Sequence, residues 1–244
     1  MIAEETVGVP VLLRGHIRNL RKTRCSRDFV FTEADRTKMS ATALAAGLAG
    51  LGGVAAGLGA MAVDTSEEAD LLEFEIEGVP VKAWVWVSVF ADGDDVEVVA
   101  ERADDTWVGY GIRRVTDRIV ALHPHCSRGR FAHYRASARW WFRLTAGLLI
   151  FMYALVTVLA LLQSASNWTG LLQAGALGSA GLALILGIIA YRISRKYAGF
   201  VSLAEKIFEV FGWPDVKNID LPAITKKDKK PGDPGGLGIL FFRY

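Results

Sequence analysis

Cysteine is scarce: Cys25 and Cys126 are the only two in 244 residues. Two thiols do not make a disulfide framework, which excludes a small cross-linked scaffold and fits a reducing compartment. The first residues, Met-Ile-Ala-Glu-Glu-Thr, lack the basic and apolar regions of a signal peptide, so targeting is expected to lie elsewhere in the chain. There is no Gly-x-Ser-x-Gly elbow, Walker loop, dinucleotide fingerprint or His-Glu-x-x-His. No nucleic-acid-binding motif is present either, and no nucleic-acid partner is expected. The most informative absence is of charge. Residues 144–162 and 169–191 contain no Asp, Glu, Lys or Arg, and only Gln-Ser-Ala-Ser-Asn-Trp separates them.

Each run is long enough to cross a bilayer as one helix, because roughly 20 residues at ~1.5 Å each cover about 30 Å of hydrocarbon. Core helices of soluble proteins seldom run this long without a polar face. The short connection implies an antiparallel transmembrane hairpin over 144–191, with both flanks on one side. Arg128, Arg130, Arg135, Arg139 and Arg143 precede the first run, Arg192, Arg195 and Lys196 follow the second, and the connection has no cation. The positive-inside rule therefore predicts a multi-pass inner-membrane protein with cytoplasmic N- and C-termini. Trp140, Trp141 and Phe142 at one end and Trp168 at the other suit an interfacial aromatic belt.

The net charge of +2 hides a segregation. Every charge in 64–77 is acidic, whereas 113–143 carries eight arginines against Asp117 alone. The five arginines of the basic juxtamembrane segment 128–143 are candidates for contact with anionic lipid head groups, at about 1 kcal/mol per well-placed side chain.

Before the hairpin, alternation dominates. Val11, Leu13, Gly15 and Ile17 alternate with Leu12, Arg14, His16 and Arg18, and Phe29-Val-Phe31 resumes the pattern, which reads as two strands. Leu72, Phe74 and Ile76 alternate with glutamates, and Val81, Ala83, Val85, Val87 and Val89 continue the alternation. Shorter strands are expected at 96–99, 107–112 and 118–122, with Asp-rich turns between them. The expected fold class is an α+β membrane protein with a small antiparallel β-barrel or sandwich, an oligosaccharide/oligonucleotide-type barrel being one candidate topology.

The β-domain spans 1–40 and 64–127 and is interrupted by an Ala/Gly-rich insert at 41–63. Gly53 and Gly57 form a GxxxG pair in that insert, near Gly47 and Gly50, and such small residues pack helices or contact a membrane. A helix or helical hairpin lying against or dipping into the membrane is favoured there. A third span conflicts with the charge rule, and a soluble insertion is the remaining alternative. In the last segment, 192–244, an amphipathic helix over 194–213 aligns Phe200, Leu203, Ala204, Ile207, Phe208 and Phe211. This face either docks on the chain's own β-domain or binds a partner through Phe200, Leu203, Ile207 and Phe211. From Lys226 the tail is expected to be loose until the apolar residues 239–242, which either add a strand or anchor the end.

The densest polar constellation is His123-Pro-His-Cys-Ser-Arg-Gly-Arg130. His123, His125 and Cys126 are candidate metal ligands, but they lack the paired spacing of structural zinc sites, and neither metal nor other cofactor is expected. A thiol enzyme would need one of the histidines to lower the Cys126 pKa. The alternative is a tight turn, set by Pro124 and Gly129, that hands the chain to the membrane with its arginines facing lipid phosphate.

Three stretches carry a resemblance: the Ala/Gly-rich run after Phe29-Val-Phe-Thr-Glu33, the segment Asp117-Arg-Ile-Val-Ala-Leu-His-Pro-His-Cys-Ser-Arg-Gly-Arg130, and Ala204-Glu-Lys-Ile-Phe through Gly212-Trp-Pro-Asp-Val-Lys-Asn-Ile-Asp-Leu221. Together they resemble a bacterial membrane-protein family found in type VI secretion gene neighbourhoods and labelled as type VI secretion system effectors. The resemblance implies a bacterial inner-membrane protein that is a toxin, an immunity protein or an accessory factor; with no catalytic motif in the chain, the leading expectation is non-enzymatic, either a membrane-perturbing effector acting through the Gly-rich run or an immunity or accessory protein. Its implied partners are the bilayer and a secretion component or cognate toxin. A metal- or thiol-dependent membrane enzyme centred on His123, His125 and Cys126 is the reading from another class.

Overall fold

A computed structural model describes residues 9–27, 29, 67–103, 105–162 and 168–244. The insert 41–63, with Gly47, Gly50, Gly53 and Gly57, lies outside the described residues. The second strand expected, at Phe29-Val-Phe31, falls outside the described residues except for Phe29, and the first is longer than expected, β1 (Val11–Arg27). It continues because Asn19 takes a left-handed conformation, φ 55°, inside a register irregularity between Arg18 and Arg21. Asn tolerates that conformation, and the resulting bulge bends the strand without ending it. Gly15 supplies a second bend at φ 152°, where an added Cβ would lie 2.9 Å from side-chain atoms of Ile76 and Glu77. The bends let β1 serve two partners: Val11 to His16 pair with β4 (Asp95–Ala103), and Ile17 to Arg27 pair with β2 (Glu67–Ile76).

β2 turns into β3 (Val79–Val85) through Glu77 and Gly78, both at positive φ, as a tight two-residue hairpin requires. The apolar alternation puts Leu72, Phe74, Ile76, Val81, Ala83 and Val85 inside. β3 is shorter than the alternation through Val89 predicts, yet Phe90 still returns to the interior, 1% exposed. β4 is antiparallel to β5 (Thr106–Arg114), and the first half of β5 pairs in parallel with β3, matching Ala83 to Gly109. A Cβ on Gly109 would stand 3.0 Å from that of Ala83, so glycine permits this closure. The result is a closed five-stranded barrel in the order β1-β2-β3-β5-β4. This order, with its parallel β3–β5 pair, is the connectivity of the oligosaccharide/oligonucleotide-type barrel. The second half of β5 instead pairs with β6 (Ile119–Leu122), which carries β7 (Phe242–Arg243).

β4 and β6 are buried on both faces. Val96, Val98, Ala100, Ile119 and Ala121 belong to the barrel interior, while Val99, Val120 and Leu122 belong to a second core outside it. The segregated charges meet across strands: Arg24 on β1 pairs with Asp70 and Glu68 on β2, Lys82 on β3 pairs with Glu73, and buried Glu97 on β4 receives both Arg14 and Arg113.

Two long helices follow, α1 (Arg130–Leu162) and α2 (Trp168–Lys196), both long and apolar enough to cross a membrane by length and composition. The basic segment 128–143 is no separate unit, since from Arg130 it forms the first turns of α1. Small residues of α2 seat aromatic rings of α1. A Cβ on Gly175 would approach Tyr153 to 3.2 Å, and one on Gly187 would approach Trp141 to 3.5 Å. Ser179 Oγ also donates to the Tyr153 hydroxyl at 2.9 Å.

The amphipathic helix is α3 (Ala198–Val210), begun anew after a turn at Tyr197. It packs Ala204, Ile207 and Phe208 against Val99, Val120 and Leu122. Gly111 on β5 makes this approach close, because a Cβ there would lie 2.9 Å from Ile207 Cγ2. Ile207 and Phe211 are 1% and 7% exposed, and Phe200 and Leu203 pack at the edge of the same cluster. Of the two uses expected of this face, docking on the chain's own barrel is the one the fold shows. The tail is more ordered than expected: it forms α4 (Leu221–Asp228) and inserts Leu237 and Phe241 into the barrel interior, and its end adds a strand, β7, one of the two readings of its last apolar residues. Arg243 clamps the Asp233 carboxylate with two hydrogen bonds and holds its pKa down to about 2.

Candidate functional site at the barrel–hairpin junction

The loop from β6 to α1 carries the histidines and the cysteine, and it sits where barrel, hairpin and C-terminal segment converge. His123 stacks on Phe200 with ring centroids 6.2 Å apart and meets the edge of Phe29 at 5.5 Å. Burial lowers its pKa, so it is neutral at pH 7. His125, at φ 68°, lies among Trp86, Tyr197 and Phe200, and its Nε2 is 2.8 Å from Glu67 Oε2. Cys126 is separated from them in environment. It is 1% exposed within the outer core, where burial pushes its thiol pKa strongly up. A thiol in that state is a poor nucleophile at neutral pH. Among the described residues no group of three His, Cys, Asp or Glu side chains is arranged to hold a metal ion.

The arginines expected at lipid phosphates mostly bind the chain itself. Arg128 Nε donates to Asp220 Oδ1 at 2.9 Å, and Arg139 lies 3.7 Å from the other oxygen of that carboxylate. Arg135 donates to Asn218 Oδ1 at 2.8 Å. Arg130 pairs with Glu205 of α3 at 3.4 Å, and its backbone N–H donates to the same carboxylate at 2.8 Å. Glu205, 7% exposed, thus places a negative charge on the N-terminus of α1, where unpaired N–H groups and the helix dipole favour it. Arg143, exposed at the edge of the apolar run, keeps the head-group role open.

Backbone bonds complete the clasp: Gly129 N–H donates to Ile219 O at 2.9 Å and Leu221 N–H to Ser127 O at 3.2 Å. Gly129 has no room for a side chain, since a Cβ would fall 2.0 Å from Val216 O. On the hairpin side, His133 Nε2 and Ser194 Oγ are 2.9 Å apart, and Ser137 Oγ lies 3.4 Å from Ser194 Oγ, linking α1 to α2. Burial lowers the His133 pKa as well.

Glu205 and Asp220 are the junction residues that sequence reasoning missed, while Gly129 was read as a turn residue and its contact with Val216 was not foreseen. Asp220 had a readable signal, because Asp followed by Leu-Pro is a helix start; it caps α4 with Pro222 in the first turn. Nothing local marks Glu205. Compared with protein-family models, curated proteins and solved structures, the chain matches none.

Proposed function

We propose that this protein is a non-enzymatic inner-membrane component of a type VI secretion locus, whose hairpin anchors the barrel as a binding module at the cytoplasmic surface. The observation that carries the anchoring is the exposure of the hairpin. Ile150, Leu162, Leu177 and Leu184 are 71%, 78%, 78% and 66% exposed, in a continuous apolar belt far larger than soluble monomers leave to water. The cations flanking both runs orient the barrel to the cytoplasm. The secretion-system assignment rests on the resemblance of the three quoted stretches.

Between the two roles that this locus allows, the clasp favours an immunity or accessory protein. α1 is continuous from its contacts with Glu205 and Asn218 into the apolar run, so the barrel is held at the hairpin's base without a flexible linker. A fixed orientation serves presentation to a secretion component or toxin. The burial of Cys126 and the neutral, ring-packed His123 give no support to the thiol-enzyme reading.

Expression of the intact chain in a heterologous bacterium tests this. The protein is expected in the membrane fraction, resistant to alkaline carbonate, with membrane potential and growth unchanged. Release by carbonate would overturn the anchoring. Depolarisation that Gly53→Leu and Gly57→Leu abolish, at equal insertion, would replace the presenting role with a membrane-perturbing effector.

A further inference from the structure

A cleft of about 490 Å³ opens between the hairpin base and the β6–α1 loop, within the range of small-molecule sites. Its character changes along both helices in the same direction. On α1, His133 and Ser137 lie at the barrel end and Leu144 about 16 Å further on at 1.5 Å per residue; on α2, Ser194 lies at the barrel end and Leu186 about 12 Å away. Ile189 and Ile193 extend the apolar half. Arg128 and Ser127 close the polar end, and no Asp or Glu is among the described lining residues.

At the polar end the Arg128 guanidinium lines the cleft, and Glu67 stands beside His125, 2.8 Å from its Nε2. Asp220 is shared by Arg128 and Arg139, so two guanidiniums face one carboxylate. Asp220 fixes Arg128 through Nε and so orients its guanidinium on the cleft wall. His133, kept neutral by burial and bonded to Ser194, adds a polar group without a cation. Trp140, 70% exposed, lines the cleft where the polar half meets the apolar half, the position an interfacial aromatic takes.

We infer that this cleft holds one anionic phospholipid of the bilayer, its phosphate against the Arg128 guanidinium and the Ser127 and Ser137 hydroxyls, and an acyl chain along Leu144, Leu186, Ile189 and Ile193. A guanidinium matches a phosphate in charge and fork geometry, and a half-buried setting strengthens the pair relative to water. The concave wall distinguishes this from general attraction to a charged surface: one lipid is retained in a defined place. The inference rests on the membrane anchoring proposed above.

The test is native mass spectrometry of the full chain released from vesicles of phosphatidylethanolamine and phosphatidylglycerol mixed at about 3:1, so that the anionic lipid is the minor one. One phosphatidylglycerol per chain is expected to survive, in preference to phosphatidylethanolamine. Arg128→Gln is expected to reduce its retention about tenfold, as loss of a charge-assisted bond does. Because Arg128 also serves the clasp, Ala136→Phe is the second variant: it fills the cleft from α1 without touching an ion pair and is expected to give the same loss. Equal retention of both lipids, or retention indifferent to Arg128→Gln and Ala136→Phe, would overturn the proposal while carbonate resistance kept the anchoring intact. A disulfide between Ala136→Cys and Gly53→Cys, with no lipid retained, would give the cleft to the Ala/Gly-rich insert and overturn it likewise. Loss of carbonate resistance in the unaltered chain marks failure of the anchoring instead.

Discussion

In the barrel, Val98 and Ile112 are fully buried; in the hairpin, Ile150 and Leu177 are 71% and 78% exposed. The residue types are alike, but the periodicity differs. Period-two alternation gives β2 and β3 an inside and an outside, so their apolar atoms leave water through contact with one another. A helix apolar on every side has no such solution within a two-helix hairpin, and its outward faces need another solvent. The junction between these regimes is polar, made of ion pairs and helix-end contacts.

The comparison breaks most sharply under truncation of equal side chains. Phe208→Ala, in the outer core at 0% exposure, is expected to cost about 3–5 kcal/mol of barrel stability, whereas Phe151→Ala, 63% exposed on α1, is expected to cost less than about 1 kcal/mol in detergent. Thermal unfolding followed by near-ultraviolet circular dichroism reads both, and equal costs would erase the distinction. Next in size is Gly129→Ala, which forces a methyl against the Val216 carbonyl. A loss of about 3 kcal/mol is expected, with protease cleavage appearing between 127 and 131. An unaffected variant would show that the clasp yields.

Glu205→Gln keeps a hydrogen-bond acceptor at the start of α1 but removes the charge. A loss of about 1–2 kcal/mol is expected, and it is expected to shrink as salt is raised. The smallest effect concerns pH. Burial depresses the His123 pKa below its ordinary value near 6.5, so the unfolded chain binds more protons than the folded one between those two values. Stability from this group is present above about pH 6.5 and is lost as pH falls through that window. The midpoint temperature is therefore expected to decline from pH 7.5 to 5.5, and His123→Phe, which keeps a ring beside Phe200, is expected to flatten that decline. A midpoint that rises on acidification would contradict the assignment.

What was legible in the chain follows the range of the interaction. The alternation of Leu72, Phe74 and Ile76 against glutamates fixed the faces of β2, and the charge-free runs marked the hairpin helices, because both signals lie within one element. The first strand was read to end at Asn19, whereas β1 runs on to Arg27, because the bulge there is a backbone event with little sequence signature. Leu237 and Phe241 are isolated apolar residues in a Gly- and Pro-rich tail, with no period to announce that they fill the barrel. The clasp was hidden for the same reason: Arg128 and Asp220 are 92 positions apart, and Arg130 and Glu205 are 75 apart. Juxtamembrane arginines read locally point to lipid, and only the fold supplies the carboxylates that take most of them first.

The central claim, a barrel held on the cytoplasmic side by a membrane-spanning hairpin, is tested most directly by maleimide labelling of a Ser166→Cys variant. In spheroplasts, a membrane-impermeant maleimide is expected to label Ser166→Cys in the hairpin connection at once, and half-buried Cys25 of the barrel only after lysis, with Cys126 unlabelled until the protein is denatured. Labelling of Cys25 before lysis, or of neither site until lysis, would contradict the account.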